Sequence, residues 1–214
     1  MTVGLVIIGA GGFGRESTDV ARAMSAATTP PPFELLGVLD SAPSDINLGR
    51  LTALGIAYLG KVEDFEFSPD RHAAVIGIGN PAARERVAAR LAPTGVGYLT
   101  LVHPSATLGS ASRLGKGVVI CAGVQVSTNV TIGDHAHLNP GAIIGHDTTI
   151  GDFVSVNPGA VVSGDVTVSS GTLIGASSVV LQGLAIGRGA LVGAGACVTR
   201  DVDAGRVVKG VPAR

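Results

Sequence analysis

The sequence predicts two domains of different fold class: an α/β domain with a small Rossmann-like parallel sheet, followed by a parallel β-helix of hexapeptide repeats. The first observation is a Val, Leu or Ile at every sixth position of residues 102–198, with no slip in register. The second is a series of short apolar segments in residues 1–101 that alternate with amphipathic ones. A short period over about a hundred residues is typical of a solenoid, whereas the alternation is typical of βαβ units.

The domain boundaries follow from where the hexads begin and end. We expect a βαβ domain over residues 1–101, a β-helix over residues 102–204 and a tail over residues 205–214. A hexad suits a β-helix because its aliphatic residue can point inwards, while the small residue that usually follows lets the chain turn a corner. Three hexads close one triangular coil, so each residue stacks on the residue three hexads later. The proline-containing tail is expected to leave the prism.

The N-terminal domain begins with an apolar run, residues 5–9, which is predicted to form a buried parallel strand. Residues 9–14 then match the pattern G-x-G-x-x-G in front of a helix over residues 15–24. Backbone N–H groups of such a turn and the start of its helix can hold a phosphate. Asp40 ends the second strand, about where a dinucleotide fold places its ribose-binding carboxylate. Further strands are predicted over residues 33–40, 73–78 and 97–102 and a helix over residues 82–91, while residues 51–59 are ambiguous.

The composition argues against several classes of function. The formal net charge is -1 and basic residues are not clustered, which disfavours a nucleic-acid or anionic-membrane surface. Residues 166–187 are uncharged, but they keep the hexad period, so we interpret them as solenoid wall rather than as a membrane span. No signal peptide is recognised, and the two cysteines suggest neither a disulfide nor a metal site. A cytoplasmic protein is therefore expected.

Six short motifs together resemble those of one family. They are the turn at residues 9–14, Asp40, Gly79-Asn80, His103-Pro104-Ser105, Ile144-Gly145-His146-Asp147 and the Gly-Val-Pro-Ala run at residues 210–213. With them, the whole chain resembles the bacterial sugar O-/N-acyltransferase family of hexapeptide-repeat proteins. The resemblance implies a left-handed β-helix, acetyl-CoA as co-substrate, no metal, and a homotrimer with sites between its subunits. A mean hydropathy of +0.47 also favours an interface, because exposed apolar surface usually marks one.

For the N-terminal domain, the resemblance implies a site for a nucleotide-linked sugar instead of a dinucleotide. Relatives often carry two acids after the second strand, whereas this chain has Asp40 followed by Ser41, and the identity of the base is left open. A vestigial NAD site is the rival interpretation, which the short domain disfavours. The residues matched to substrate binding are Gly11, Gly12, Phe13, Asp40, Ser41 and Gly79.

Transfer of an acyl group from a thioester needs a base at the acceptor, and His is the natural base near neutral pH. A lone outward-facing His is ordinarily a solvated surface residue. For His146, the adjacent Asp147 and the family motif favour a catalytic role: His146 as general base, with Asp147 orienting its ring or stabilising its cation. Gly164, three hexads later, has either the oxyanion-binding role that the family gives a glycine there or the role of a plain corner residue.

The resemblance also implies that coenzyme A lies in the groove between neighbouring prisms. Ser155 stands where many relatives have a second His that contacts the cofactor. His137, three hexads earlier, is either its replacement or a solvated edge residue. Ala176 and Ala194 are small corner residues that would let the pantetheine arm approach.

The expected function is acetyl-CoA-dependent N-acetylation of a nucleotide-linked amino sugar by direct attack on the thioester. Arg206 and Lys209 in the tail are candidates for binding the phosphates of coenzyme A, or are simply solvated. O-acetylation of a sugar hydroxyl stays open, because one base serves either acceptor. The alternatives from other classes are a non-catalytic binding module and a metal-dependent hydratase on the same prism. The close pair His135 and His137 alternates faces, which disfavours the metal site.

Overall fold

The computed structural model describes residues 2–214, which form two compact units. One unit ends at Leu101, and the other comprises Val102–Arg214. Across the described residues, none of the helices combines the length and apolar character that crossing a bilayer requires. The uncharged residues 166–187 form short strands and turns of the second unit.

The N-terminal unit is a five-stranded parallel sheet with helices between its strands. It consists of β1 (Val3–Ile8), α1 (Gly12–Ala26), β2 (Phe33–Leu39), α2 (Asp45–Ala53), β3 (Tyr58–Gly60), β4 (His72–Ile76), α3 (Pro81–Leu91) and β5 (Gly97–Tyr98), with 3-10 turns at Val62–Asp64 and Ala92–Thr94. The strand order β3-β2-β1-β4-β5 makes β1 central. The chain changes sides of β1 after β3, and such a switch point leaves a crevice at the carboxyl ends of the strands. The predicted Rossmann-like sheet is confirmed.

Close backbone packing explains the glycines around the first turn. A Cβ atom on Gly14 would lie 1.8 Å from the carbonyl oxygen of Gly9, and one on Gly77 would lie 2.7 Å from the Cα atom of Gly14. Side chains do not fit at such distances, so glycine is required where α1 meets the ends of β1 and β4. This contact fixes the start of α1 directly beside the crevice.

The second unit is a triangular prism of two-residue parallel strands. Face 1 contains β7 (Thr107–Leu108), β10 (Gln125–Val126), β13 (Ile143–Ile144), β16 (Val161–Val162), β19 (Val179–Val180) and β22 (Cys197–Val198). Face 2 contains β8 (Arg113–Leu114), β11 (Thr131–Ile132), β14 (Thr149–Ile150), β17 (Thr167–Val168) and β20 (Ala185–Ile186). Face 3 contains β6 (Leu101–Val102), β9 (Val119–Ile120), β12 (His137–Leu138), β15 (Ser155–Val156), β18 (Leu173–Ile174), β21 (Leu191–Val192) and β23 (Val207–Val208).

The predicted hexads are confirmed strand by strand. Within residues 101–198, every strand of the prism ends on the aliphatic residue that the period marks. Paired residues are eighteen positions apart, as in Ile144 with Val162. From Ile120 to Val198 each of these aliphatic side chains is at most 4% exposed. Their stacked columns are the core of the prism, and the residues between them are left at its edges.

The last coil is shorter than the others. Ile186 pairs with Val202 and Val192 with Val208, so the partners are sixteen residues apart instead of eighteen. The hexad period therefore stops after Val198, although the parallel pairing continues through β23.

The tail closes the prism, and the expectation that residues 205–214 leave it is wrong. Lys209 and Arg214 exchange two backbone hydrogen bonds of 3.1 Å, which folds the last six residues into a loop. The N–H of Ala213 donates to the carbonyl oxygen of Cys197 at 2.7 Å, and Ala213 is 5% exposed. The physical reason is that the open end of the last coil offers backbone groups and apolar surface that the tail can cover.

Candidate active site

One edge of the prism carries the predicted general base. The chain passes from face 1 to face 2 in the turn after β13, where His146 and Asp147 lie. The Nδ1 atom of His146 is 2.7 Å from Oδ2 of Asp147, and the two side chains are 62% and 50% exposed. Asp147 has a φ of 59°, a left-handed conformation that Asp adopts more readily than most residues. We call this edge between faces 1 and 2 the dyad edge.

Hydrogen bonds hold the Asp147 carboxylate on both oxygens. The Nδ2 group of Asn129, one coil earlier, donates to Oδ1 of Asp147 at 2.7 Å, while Oδ2 faces the His146 ring. The pKa of Asp147 lies below its ordinary value, first because of the Asn129 bond and then because of His146. An ionised Asp147 can accept a hydrogen bond from Nδ1–H of His146, and in that tautomer Nε2 carries the free lone pair. Asn129 was missed by the sequence reasoning, although it lies one coil from Asp147 by the hexad count.

Gly164 lies against the other end of the His146 ring. A Cβ atom at Gly164 would be 2.6 Å from Nε2 and 2.7 Å from Cε1 of His146. The ring can thus occupy its position only because this corner has no side chain. Across residues 2–214, no hydrogen bond uses the N–H of Gly164. An N–H without a hydrogen-bond partner at this corner is compatible with an oxyanion-binding role.

The predicted cofactor residues are not brought together with His146 within one chain. Ala176 and Ala194 follow β18 and β21, so they stack on the edge between faces 3 and 1, which we call the alanine edge. Ser155 lies on face 3 and is 1% exposed. The dyad edge and the alanine edge are the two borders of face 1.

The two neighbouring histidines of the prism are both buried. His137 pairs with Ser155 and is 0% exposed, so its interpretation as a solvated edge residue is wrong. His135 is 6% exposed and stacks on Phe153 with ring centroids 5.0 Å apart. Within residues 2–214, no three His, Cys, Asp or Glu side chains are grouped as metal ligands.

Of the second group of predicted residues, Asp40 and Ser41 line a crevice of about 180 Å³ in the N-terminal unit. It lies at the carboxyl ends of β1, β2 and β4, at the switch point of the sheet. Its wall contains four apolar side chains and the cationic side chain of Arg90. The apolar residues are Ile8, Val62, Ile78 and Val87. A crevice with apolar walls and a few polar groups at a switch point is typical of a nucleotide site.

The glycine-rich turn leaves open space above the start of α1. A Cβ atom on Gly11 or Gly12 would have no neighbour within 4 Å. No side chain caps α1, and no acid lies in its first turn. Phe13 is half-buried in that turn, and its carbonyl oxygen accepts a bond from Ser17. An open turn with an uncapped helix start suits an anion.

Asp40 and Ser41 line the crevice from the end of β2. Asp40 accepts hydrogen bonds from the N–H groups of Ala10 and Ala42, at 2.8 and 2.9 Å. Its carboxylate therefore links the turn after β1 to the loop after β2. Ser41 donates its hydroxyl to a carboxylate oxygen of Glu63. Glu63, which sequence reasoning missed, comes from the 3-10 turn after β3.

Glu63 is a second acid near the crevice, since it contacts two residues of the crevice wall, Ser41 and Arg90. Its pKa is lowered, chiefly by the Ser41 hydroxyl, and Arg90 lies 3.6 Å away. On the opposite side of β1, Gly79 follows β4 and is exposed. Arg84, which is 0% exposed, donates to its carbonyl oxygen at 3.2 Å and so shapes this loop.

Comparisons with known proteins agree with this architecture. Residues 4–91 match the family model of the PglD N-terminal domain, and residues 129–164 match the bacterial transferase hexapeptide (six repeats). The fold and these matches together identify an α/β domain that is followed in the sequence by a left-handed β-helix of hexapeptide repeats. Along the chain, the two matches are similar to a PglD-type N-terminal domain and to hexapeptide repeats, in that order.

One curated relative is similar to part of the chain. The chain is 33% identical over 145 residues to the GDP-perosamine N-acetyltransferase of Escherichia coli O157:H7, a match that covers 65% of this chain and 61% of that protein. It therefore aligns with less than two thirds of that curated relative.

Two solved structures resemble the whole chain. PerB from Caulobacter crescentus, in complex with CoA and GDP-perosamine, has a TM-score of 0.86 at 28% identity and covers 99% of this chain and 96% of its own. The acetyltransferase domain of PglB from Neisseria gonorrhoeae FA1090, in complex with acetyl coenzyme A, has a TM-score of 0.85 at 25% identity, with 100% and 99% covered.

Proposed function

We propose that this protein is an acetyl-CoA-dependent N-acetyltransferase that acts on a nucleotide-linked amino sugar. The observation that carries the proposal is the His146–Asp147 pair, joined at 2.7 Å on an exposed edge, with Gly164 making room for the ring. The choice of an amine acceptor is supported by the relatives, since one is a GDP-perosamine N-acetyltransferase and another holds CoA and GDP-perosamine.

In the proposed reaction, the acceptor nitrogen attacks the thioester carbonyl carbon while its proton passes to Nε2 of His146. Asp147 stabilises the imidazolium that forms, because it stays ionised beside Nδ1. The N–H of Gly164 donates to the oxyanion. The C–S bond then breaks, and the imidazolium returns the proton to the departing thiolate, which leaves the ring neutral. Acetyl-CoA supplies the activated acyl group, and no metal takes part in this scheme.

The crevice of the N-terminal unit is the proposed nucleotide site. Its apolar wall suits the face of a base, and the open turn at Gly11 and Gly12 suits the diphosphate. The carboxylates of Asp40 and Glu63 are the groups that can accept hydrogen bonds from ribose hydroxyls or from base N–H groups.

A homotrimer is proposed because face 1 carries an outward apolar stripe. Ile143, Val161, Val179 and Cys197 stack in it, and Ile143 is 43% exposed. If three prisms turn face 1 towards a common axis, every dyad edge meets the alanine edge of the next prism. The groove between them would then hold the cofactor, and light scattering that finds only a monomer would contradict this arrangement.

The test of the activity is release of free thiol from acetyl-CoA in the presence of UDP-, GDP- and dTDP-linked 4-amino sugars. We expect one nucleotide series to be acetylated and His146→Ala to lower kcat/KM by about 10²–10⁴-fold. Mild alkali separates the two acceptors, because an amide product survives it and an ester does not. Full activity of His146→Ala would refute the mechanism, and thiol release with none of the sugars would favour a binding module.

A further inference from the structure

Three polar side chains meet beside the apolar wall of the crevice in the N-terminal unit. Ser41 and Arg90 line the crevice, Ser41 from the end of β2 and Arg90 from α3. Glu63 connects the two: its Oε2 atom accepts a hydrogen bond from the Ser41 hydroxyl and lies 3.6 Å from Nη2 of Arg90. We call these three residues the polar cluster. It presents a carboxylate and a guanidinium side by side.

The Glu63 carboxylate is an ionised acceptor that a ligand can reach. Its pKa lies below the ordinary value, first because of the Ser41 hydroxyl, so the group is negatively charged at neutral pH. Both contacts within the polar cluster use Oε2, and Oε1 takes part in neither. The side chain is 45% exposed, so binding a further donor requires no rearrangement of the unit.

The other polar parts of the crevice already suit the diphosphate and the ribose. Gly11 and Gly12 lie at the uncapped start of α1, where an anion is favoured. The Asp40 carboxylate is held at the end of β2 by backbone N–H groups on both of its oxygens. This is the usual place of a ribose contact in a doubly wound fold. The base is therefore left to the remaining part of the crevice.

That remaining part joins apolar wall to the polar cluster. Val62 comes directly before Glu63 in the 3-10 turn, and Val87 lies one helical turn before Arg90 on α3. Both valines line the crevice and are half-buried. A base that packs its ring on the two valines would turn its polar edge towards Glu63 and Arg90.

Guanine is the base whose edge matches a carboxylate beside a guanidinium. It presents two neighbouring N–H donors, at N1 and N2, next to the acceptor O6. A carboxylate takes two parallel donors through its two oxygens, while a guanidinium donates to a neighbouring carbonyl. Adenine, cytosine, uracil and thymine each place an acceptor directly beside a single donor group, so the second carboxylate oxygen would face another acceptor.

We propose that Glu63 selects a guanine nucleotide by accepting hydrogen bonds from N1–H and N2–H of the base, while Arg90 donates to O6. The inference rests on the proposed function and names its substrate class, an amino sugar linked to GDP. Ser41 is a positioning residue, because its hydroxyl holds the Glu63 carboxylate beside the crevice. Glu63 then takes the place of the second acid that relatives often carry after Asp40.

The direct test is calorimetric titration of the full chain with GDP, IDP and UDP. IDP lacks only the 2-amino group of guanine, so we expect it to bind about tenfold more weakly than GDP, and UDP also to bind more weakly than GDP. Glu63→Ala should bring the ratio of the GDP and IDP affinities to about one, because the amino group loses its acceptor. The matched control is Glu66→Ala, which removes an exposed acid from the following loop and should keep the ratio.

Turnover provides a second readout. Glu63→Ala should raise KM for the GDP-linked amino sugar about tenfold and leave KM for acetyl-CoA unaltered. Equal binding of GDP and IDP by the wild type, a ratio unchanged by Glu63→Ala, or UDP that binds as tightly as GDP would overturn the proposal and leave the acetyltransferase activity standing. Binding of none of the three nucleotides would overturn it together with the nucleotide site. Because the titration involves no turnover, it decides about the base even if no sugar is acetylated.

Discussion

The sharpest test of the site is Gly164→Ala. The φ of Gly164 is not in the left-handed region, so alanine is compatible with the backbone. The added methyl carbon would lie 2.6 Å from Nε2 of His146. An ordinary contact between such atoms is about 3.5 Å, so the ring has to move by about 1 Å. A misplacement of about 1 Å in a reacting group lowers turnover about 100-fold.

The measurement is kcat/KM with acetyl-CoA and the accepted amino sugar, together with the melting temperature. We expect a loss of about 100-fold with little change in melting temperature, since the ring is exposed and can swing outwards. Gly49→Ala is the matched control: a Cβ atom there has no neighbour within 4 Å, and activity should be retained.

The double variant Gly164→Ala/His146→Ala shows whether the added methyl group lowers activity by displacing the His146 ring. If the methyl group acts by displacing the ring, adding Gly164→Ala to His146→Ala should cost almost nothing further. A full additional loss in that background, or wild-type activity of Gly164→Ala alone, would show that the contact with the ring is not what this glycine serves.

Three further predictions concern single contacts. Asn129→Ala should raise the pKa of Asp147 towards its ordinary value, because it removes the largest contribution that lowers it; NMR titration of the carboxyl carbon would show this, and an unchanged curve would contradict it. Ile150→Ala should reduce the free energy of unfolding by about 2–5 kcal/mol, measured in urea, because the side chain is 1% exposed; a loss below about 1 kcal/mol would argue against a close-packed prism core. Gly14→Ala should prevent stable packing of α1, seen as a lower melting temperature, whereas Gly11→Ala, which has open space, should not.

The strands of the prism could be predicted almost completely because each one is determined by a short stretch of sequence. Each hexad marks its own inward residue, and stacking by three hexads follows from closure of the triangle. The same count leads from Asp147 back to Asn129. The return of the tail could not be predicted, because it depends on a coil shortened by two residues and on backbone groups of Cys197 that no pattern marks.

The N-terminal site was predicted only in part, for a different reason. Gly11, Gly12 and Asp40 follow strands directly, so their place at the carboxyl ends of the sheet is a consequence of parallel topology. Glu63 reaches the crevice from a 3-10 turn beyond an ambiguous segment, and only the folded chain brings it to Ser41. Likewise, His137 has the hexad position of outward residues, so the period alone could not indicate that it is buried.

The positions of the two edges explain why a single prism would not form the proposed cofactor groove. The dyad edge and the alanine edge border the same face, and a flat face keeps its two borders apart within one chain. A cyclic assembly removes that separation, because a heterologous contact between the two edges repeats and closes after three copies of a triangular prism. In the proposed trimer, the outward stripe at Ile143 and Val161 would provide the apolar contact between prisms, and that contact would complete the groove in which His146 is proposed to act.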